Sequence, residues 1–171
     1  RCTFGPPDKP SPEKQAALKA LGAHVVVAPA HVPPDSPDSF TSVAKRIAAE
    51  TPNSFLLNQY HNPDGAEAHY LSTGPEVWEQ TGGRLDAPVA GLGTGATASG
   101  CGRFLKEKEP RVRIVGVDAA GSVHHSTWKT GKTSAPRAYK LEGIGGDAPC
   151  GAMDLAVLDD VRPVGDAQAF S

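Results

Sequence analysis

Apolar positions along the chain form short runs that alternate with stretches of helical spacing. Short apolar runs predict strands at residues 1–5, 25–27, 55–57, 87–92 and 112–117. Apolar residues three or four apart, bounded by caps, glycine or proline, predict helices at residues 11–21, 39–50, 67–80 and 98–108. Residues 119–140 are polar with weak periodicity and are predicted to be loop. Strands that alternate with helices in this way predict an α/β fold, with a parallel sheet flanked by helices.

Composition and charge narrow the class of protein. Hydrophobic residues make up 39% of the 171 residues, charged residues 21%, and the net charge is −2. These values fit a soluble globular protein and exclude disordered and fibrous classes. Near neutrality without a basic block argues against a nucleic-acid partner, and no apolar run reaches the roughly 18 residues that a membrane helix needs. We therefore expect a cytoplasmic protein that binds neither nucleic acid nor membrane.

Cysteine and histidine usage predicts no metal centre. Cys2, Cys101 and Cys150 are far apart in the chain, which is typical of reduced intracellular thiols. The six histidines form no H-E-x-x-H motif and do not cluster with cysteine, so no metal site is predicted. His124 and His125 lie in a polar stretch and are expected to face solvent. His69 is expected to be a surface or packing residue.

A glycine-rich loop at residues 91–100 lies between a predicted strand and a predicted helix. Backbone N–H groups and the helix dipole at such a junction favour an anion such as phosphate. Glycine residues let the backbone approach the anion closely. Thr94, Thr97 and Ser99 add hydroxyl groups to the loop, which favours a phosphate monoester with several free oxygens as the ligand.

Two other interpretations of this loop stay open from the local residues. The spacing Gly91-x-Gly93-x-x-Ala96 also fits a dinucleotide-binding fingerprint, with Asp118 as the ribose-binding acid after the next strand. That fingerprint usually lies in the first β-α-β unit, whereas two strand–helix units precede it here. A purely structural glycine turn is the third interpretation.

The order of motifs along the chain resembles one enzyme family. The segments that carry the resemblance are, in order, PDKPSPEK (7–14), LKALGA (18–23), NQYHNP (58–63), HY (69–70), TGPEVW (73–78), GTGAT (93–97), GVD (116–118) and EGIG (142–145). Together they resemble the cysteine synthase and cystathionine β-synthase family of pyridoxal-phosphate enzymes. The resemblance runs nearly end to end, and so many motifs in order are more specific than any one of them.

The resemblance implies a fold, a cofactor and a reaction. The fold is the two-lobed, tryptophan-synthase-β-like fold type II, with residues 1–60 part of the small N-terminal lobe and residues 61–171 part of the larger cofactor-binding lobe. The cofactor is pyridoxal 5′-phosphate, and the full-length enzyme is expected to be a homodimer. The reaction is a β-replacement by a thiol on serine or O-acetylserine, carried out by a lyase or transferase on a small amino-acid substrate.

The resemblance also assigns site residues. The cofactor phosphate is expected to be held by Gly93, Thr94, Gly95, Ala96 and Thr97. The substrate residues are expected to be Gln59, which helps to hold the carboxylate, and Gly143, Ile144 and Gly145, which border the substrate pocket.

The chain also departs from the family pattern. Ala96 stands where the family usually has glycine, which matters only if that residue needs a positive φ. Gly146 stands where the cystathionine branch often has tyrosine. The Schiff-base lysine of the family lies N-terminal to every motif present here, and none of the nine lysines matches its motif. Because that lysine is indispensable to the chemistry, we expect no catalytic residue in this chain and no activity from it alone.

The two ends of the chain favour an internal fragment of a longer enzyme. Arg1 is not a methionine, and Ser171 follows closely on a predicted helix start. Two alternatives remain at this stage. One is a lysine-free or truncated family member that acts as a binding module, and the less favoured one is an NAD-binding Rossmann domain.

Overall fold

The structure, a computed structural model, describes residues 2–5, 12–29, 32–33 and 35–171. It divides into two compact units, residues 1–57 and 58–171. The assignment of residues 1–60 and 61–171 to two lobes of a larger enzyme stays a prediction. Arg1 and Ser11, at which the first strand and the first helix are predicted to begin, lie outside the described residues.

The first unit pairs two short parallel strands and carries two helices. β1 (Thr3–Phe4) pairs with β2 (His24–Val25), and α1 (Pro12–Ala20) connects them. α2 spans Phe40–Glu50. It begins where predicted because the Ser39 hydroxyl accepts a hydrogen bond from the N–H of Ser42 over 3.2 Å, which satisfies one of the unpaired donors of the first turn.

The strand predicted at residues 55–57 is wrong. The segment runs without regular structure, and Phe55 is 80% exposed and Leu57 70% exposed. No strand within the described part of the chain pairs with it. A run of apolar residues becomes a strand only where a neighbouring strand accepts its backbone hydrogen bonds.

The second unit is a three-stranded parallel sheet flanked by helices, which confirms the predicted fold class. The strands are β3 (Val89–Gly91), β4 (Val115–Ala119) and β5 (Asp160–Val164), in the order β3-β4-β5. The helices are α3 (Asp64–Leu71), α4 (Thr73–Gln80), α5 (Ala96–Lys108), α6 (His124–Thr130) and α7 (Asp166–Ala169). A 3₁₀ turn at Leu155–Val157 precedes β5.

The core of the second unit lies between α5 and the sheet. Leu92, Leu105 and Val161 are among its buried members. Two glycines let α5 approach its neighbours closely. A Cβ on Gly102 would lie 2.9 Å from Val157 Cγ2, and one on Gly100 would lie 2.8 Å from His69 Cβ in α3. This close packing positions the N-terminus of α5, where the glycine-rich loop ends.

Two predicted elements in the second unit need correction. The single helix predicted at residues 67–80 is two helices, because the backbone leaves the helical region at Ser72 (φ −124°, ψ −70°). The loop predicted at residues 119–140 contains α6. The Asp118 carboxylate caps its first turn by accepting from the N–H of His125 over 2.8 Å, so a tertiary contact supports a helix whose periodicity is weak. Among the described residues no helix is long and apolar enough to cross a membrane.

Candidate functional site

The glycine-rich loop joins the carboxyl end of β3 to the N-terminus of α5. The N–H of Leu92 donates to the carbonyl of Val117 over 2.8 Å, which keeps the loop beside β4. Gly95 then turns the chain with φ +78° and is the N-cap of α5. The first N–H groups of a helix have no acceptor within that helix, and they lie at the positive end of its dipole. The predicted cofactor residues 93–97 therefore form a turn at the N-terminus of α5, a geometry that favours an anion.

Ala96 fits this turn without backbone strain. It is the first residue of α5 and is not among the residues with positive φ. Its side chain is buried against α3, where its Cβ lies 3.3 Å from the position that a Cβ on Gly65 would take. Replacement of the usual glycine by alanine is therefore compatible with the geometry of the loop.

The hydroxyl of Thr97 is bound by a histidine of α3. Thr97 Oγ1 lies 3.1 Å from His69 Nε2, and His69 Nδ1 lies 2.8 Å from Thr73 Oγ1. If His69 donates through Nε2, Thr97 keeps its own O–H for an anion, and the Thr73 hydroxyl supplies the hydrogen bond to Nδ1. The sequence motif His69-Tyr70 marks this residue, but its spacing of 28 residues from Thr97 gives no sign of the contact.

The Ser99 hydroxyl makes hydrogen bonds within the protein and is not available to a ligand of the loop. It donates to the carbonyl of Gly95 over 2.8 Å and accepts from the N–H of Asp154 over 2.9 Å. The residue is buried. Of the three hydroxyls that the sequence places in this stretch, those of Thr94 and Thr97 remain as candidate phosphate ligands.

The structure brings the predicted substrate loop against the predicted cofactor loop. The N–H of Gly145 donates to the carbonyl of Leu92 over 2.6 Å. The Gly143 carbonyl lies 3.2 Å from the point where a Cβ on Gly93 would stand, and Ile144 Cγ2 lies 2.6 Å from the same point on Gly91. Glycine at 91 and 93 is therefore needed for the two loops to meet.

Gln59 is linked to this site only through its neighbours. It lies exposed in a turn that begins at Asn58, whose φ is +47°. The next residue, Tyr60, accepts from the N–H of Ala152 over 3.0 Å through its carbonyl. Cys150 lies two residues before Ala152, and its thiol donates to the Gly93 carbonyl over 3.6 Å. The contacts of the described residues do not bring the Gln59 side chain itself to the loop.

Asp118 is not available to a ribose. It is fully buried, and one carboxylate oxygen accepts from the N–H of His125. The dinucleotide interpretation of the loop needs this carboxylate at the surface of the site, so the structure disfavours it. The described residues also contain no group of three or more His, Cys, Asp or Glu side chains that could hold a metal ion.

His124 is buried, so the prediction that it faces solvent is wrong. The residue is 2% exposed, and its Nε2 lies 2.7 Å from the point where a Cβ on Gly146 would stand. Burial lowers the pKa of His124, and the Asp118 carboxylate and the Gly93 carbonyl oppose that effect. The imidazole therefore lies between the glycine-rich loop and Gly146, which follows the predicted substrate loop. The polar residues around it in the sequence gave no signal of this burial.

Tyr139 packs against Gly145 of the predicted substrate loop. Its hydroxyl oxygen lies 2.6 Å from the point where a Cβ on Gly145 would stand. Burial, together with the carboxylates of Asp147 and Asp118, raises the pKa of Tyr139 to about 12. The phenol therefore stays protonated at neutral pH and is a potential hydrogen-bond donor beside Gly145. Sequence reasoning did not single it out.

Comparison with known proteins assigns the chain to a family. A family model described as "Pyridoxal-phosphate dependent enzyme" matches residues 1–171. The chain belongs to this family. Its members depend on pyridoxal phosphate, which confirms the expected cofactor and the expectation of an enzyme family.

Three relatives illustrate the similarity. The chain is 42% identical over 171 residues to cystathionine beta-synthase of Mus musculus, which covers 100% of this chain and 30% of the relative. It is 34% identical over 170 residues to O-acetylserine dependent cystathionine beta-synthase of Bacillus subtilis, covering 99% of this chain and 52% of the relative. It is 32% identical over 168 residues to cysteine synthase of Helicobacter pylori, and the match covers 98% of this chain and 52% of the relative. The chain thus spans from about a third to half of the length of these relatives.

The residues of the loop fit the phosphate of pyridoxal phosphate. Gly93 and Gly95 leave the turn without side chains, Ala96 is directed toward α3, and Ser99 is turned inward. What remains at the turn is the N-terminal N–H groups of α5 with the hydroxyls of Thr94 and Thr97. A phosphate monoester needs such a set of donors, and a helix N-terminus supplies the favourable dipole.

Proposed function

We propose that the enzyme carrying this region catalyses a pyridoxal-phosphate-dependent β-replacement on serine or O-acetylserine, as a cysteine synthase or a cystathionine β-synthase. The observation that supports it most is the contact between the loop Gly93–Thr97 and the loop Gly143–Gly145, held by the hydrogen bond from Gly145 to Leu92. This contact brings the glycine-rich turn beside a second loop that contains Gly143 and Gly145, and the proposal assigns the phosphate to the first and the substrate to the second. The names of the relatives described above support the same reaction class.

In this proposal the N–H groups at the start of α5 and the hydroxyls of Thr94 and Thr97 bind the phosphate. His69 orients Thr97 by hydrogen bonding, so that the threonine O–H is directed at the anion. When bound, pyridoxal phosphate supplies the electron sink that stabilises negative charge at the α-carbon of the amino acid. The protein's contribution is to fix the position of the phosphate and thus of the reacting ring.

The substrate is bound by the other two segments. Gln59 helps to hold the carboxylate of the amino acid by donating from its side-chain amide, as the family resemblance implies. Gly143, Ile144 and Gly145 border the substrate, and the loop excludes water from one side of the pocket because Tyr139 packs behind Gly145. Tyr139 remains a neutral phenol at this position.

The lysine that the reaction requires is proposed to lie outside residues 1–171, so that this chain by itself is inactive. The enzyme that carries it is proposed to be a cytoplasmic homodimer, with a small-molecule amino acid as its substrate and no nucleic-acid partner. The free thiols of Cys2, Cys101 and Cys150 fit a reducing compartment.

The deciding experiment assays the purified enzyme that carries this region. It is incubated with pyridoxal phosphate, with serine or O-acetylserine, and with sulfide or L-homocysteine, and the products are identified by mass spectrometry. We expect cysteine or cystathionine, and a Thr94→Val/Thr97→Val variant should need a higher cofactor concentration for half-maximal activity. No thioether or thiol product from any combination would contradict the proposal.

A second experiment tests the 171-residue chain itself. The chain is mixed with pyridoxal phosphate, reduced with borohydride and mapped by mass spectrometry. We expect no stoichiometric label on any single lysine. Inorganic phosphate should still compete with pyridoxal phosphate for the glycine-rich loop. One fully labelled lysine would show that the chain carries its own reactive lysine. Cofactor binding by the longer enzyme without any product would favour the alternative of a binding module.

A further inference from the structure

A cavity of about 310 Å³ lies where β4 ends and α6 begins, and it is called the α6 cavity below. All of its lining residues belong to the second unit, and none of them is a predicted cofactor or substrate residue. The described residues that line it include one arginine, one histidine and three serines, but no aspartate or glutamate. A lining of donors and cations without a carboxylate favours a negatively charged ligand.

Two side chains of the lining keep their N–H groups for a ligand. The Arg137 guanidinium makes no ion pair or hydrogen bond with any described residue, while its backbone N–H donates to the Gly121 carbonyl over 2.8 Å. The His125 imidazole also has no hydrogen-bond partner among the described residues. Its backbone N–H is bound by Asp118, whose buried carboxylate does not line the cavity.

Ser122 adds a buried hydroxyl to the lining. The residue is 7% exposed. Its oxygen accepts from the N–H of Gly146 over 3.0 Å and from the N–H of His124 over 3.3 Å. Both acceptor positions are therefore used, and the O–H hydrogen has no acceptor among the described residues. A buried donor without an acceptor is unfavourable, and an oxyanion in the cavity would accept from it.

The outer wall of the cavity is held in place by hydrogen bonds to α6. The Ser134 N–H donates to the Ser126 hydroxyl over 3.2 Å, and the two hydroxyl oxygens lie 2.9 Å apart. Ser126 in turn donates to the Val123 carbonyl over 2.9 Å. Together with the bond from Arg137 to Gly121, these contacts fix both ends of the segment 134–137 beside the cavity.

The size of the cavity favours an organic ligand over a bare inorganic ion. Its volume lies at the lower end of the range of about 300–1,000 Å³ that is typical of small-molecule sites. Ala119, Ala120 and Pro163 form an apolar part of the lining. One oxyanion group would occupy the polar side, and the remaining space would hold a short carbon skeleton.

We propose that the α6 cavity binds a small organic anion, whose carboxylate or phosphoryl group accepts hydrogen bonds from Arg137, His125 and Ser122. The planar guanidinium of Arg137 binds either head group through two parallel N–H donors. This site is separate from the glycine-rich loop, and the proposal does not depend on the reaction proposed above.

The test measures binding to the enzyme that carries this region after it has been saturated with pyridoxal phosphate. Succinate, with carboxylate groups, and glycerol phosphate, with a phosphoryl group, are titrated separately by calorimetry. We expect saturable binding of at least one of them. Arg137→Gln should weaken it about tenfold, as expected for the loss of a charge-assisted hydrogen bond. His125→Phe should weaken it about fivefold, the effect of one neutral hydrogen bond.

Lys132→Gln is the matched control for Arg137→Gln. It removes one positive charge from the same exposed stretch, but Lys132 does not line the cavity, so the affinity should stay unchanged. Gln59→Ala is the control for the predicted substrate site and should also leave this binding unchanged. If the two anions differ in affinity, the tighter one identifies the head group.

Three outcomes would overturn the site. The first is that neither anion binds the cofactor-saturated enzyme. The second is that Arg137→Gln and Lys132→Gln weaken binding equally, which would indicate attraction by surface charge alone. The third is that Gln59→Ala abolishes binding while Arg137→Gln leaves it intact, which would place the anion in the substrate site. Because none of these measurements requires turnover, they leave the proposed β-replacement to its own assay.

Discussion

The imidazole of His69 holds the hydroxyl of Thr97, with Nε2 3.1 Å from Oγ1. The other nitrogen of the ring, Nδ1, lies 2.8 Å from Thr73 Oγ1, and this hydrogen bond fixes the orientation of the ring. A residue of α3 thereby orients a hydroxyl at the N-terminus of α5, and His69 acts on the candidate phosphate site through Thr97 without touching the ligand itself. Such a positioning contact is expected to affect cofactor affinity more than folding.

We therefore expect His69→Phe to weaken the binding of pyridoxal phosphate about five- to tenfold, the effect of roughly one hydrogen bond. The measurement is a titration followed by cofactor absorbance. His69→Gln, which can still reach Thr97 through its amide, should recover part of the affinity. The control is His125→Phe, which lies on α6 away from the loop. Equal affinity in all four proteins would show that Thr97 needs no support from α3.

Gly95 is predicted to be the least replaceable residue of the loop for stability. Its φ of +78° is unfavourable for any residue with a Cβ, and that Cβ would collide with Met153. We expect Gly95→Ala to lower the free energy of unfolding by about 2–4 kcal/mol, from the left-handed backbone and the overpacking together. Chemical denaturation measures this directly.

Gly131 provides the matched control for Gly95. It has a similar φ of +70°, but a Cβ there meets nothing within 4 Å. Gly131→Ala should therefore cost only the backbone part, about 1–2 kcal/mol. Met153→Ala should relieve part of the cost of Gly95→Ala in the double variant. Equal losses at the two glycines would mean that Met153 does not restrict the loop.

Gly100 is predicted to control how closely α3 and α5 pack. A Cβ there would collide with the Ala66 carbonyl and would lie 2.8 Å from His69 Cβ. Helix propensity favours alanine by about 1 kcal/mol, but overpacking costs about 1–3 kcal/mol. We expect Gly100→Ala to lower the melting temperature and to weaken cofactor binding, since His69 must shift. A raised melting temperature would show that the helices separate without cost.

The Asp159 carboxylate links α5 to Ile114, the residue before β4, and makes stability depend on pH. It accepts from Lys106 Nζ over 2.9 Å and from the N–H of Ile114 over 2.7 Å. Partial burial raises the pKa of Asp159, but the Lys106 ammonium and the Ile114 N–H lower it by more, so the pKa lies below its ordinary value. The folded protein therefore binds fewer protons here than the unfolded chain.

From this sign, the stabilisation by Asp159 is fully present above the ordinary aspartate pKa of about 3.9 and is lost as the pH falls through the lower folded pKa. Asp159→Asn should reduce the free energy of unfolding at neutral pH by about 1 kcal/mol. In the variant, the free energy of unfolding should also decrease less steeply as the pH is lowered. Asp160→Asn is the control, because Asp160 pairs with the exposed Arg162 at the surface. Identical acid profiles for the two variants would contradict the assignment to Asp159.

Local patterns predicted most of the elements and few of their contacts. α2 and α5 begin within about two residues of their predicted starts, because Ser39 and the glycine-rich loop are strong local signals. The segment 55–57 had an equally clear apolar pattern and is not a strand, because strand formation depends on a partner elsewhere in the chain. α6 had a weak pattern and exists because Asp118 caps it.

The sequence by itself determined the α/β class, the glycine-rich turn at 93–97 and, through the order of its motifs, the family. These depend on spacing and residue type, which are local properties of the chain. Only the tertiary structure decided that His69 binds Thr97 across 28 residues, that the loop at 143–145 meets Leu92, and that His124 is buried against Gly146. Each of these contacts depends on the packing of α3, α5 and α6 around the sheet, and the polarity of a residue does not reveal which of its neighbours in space will exclude water from it.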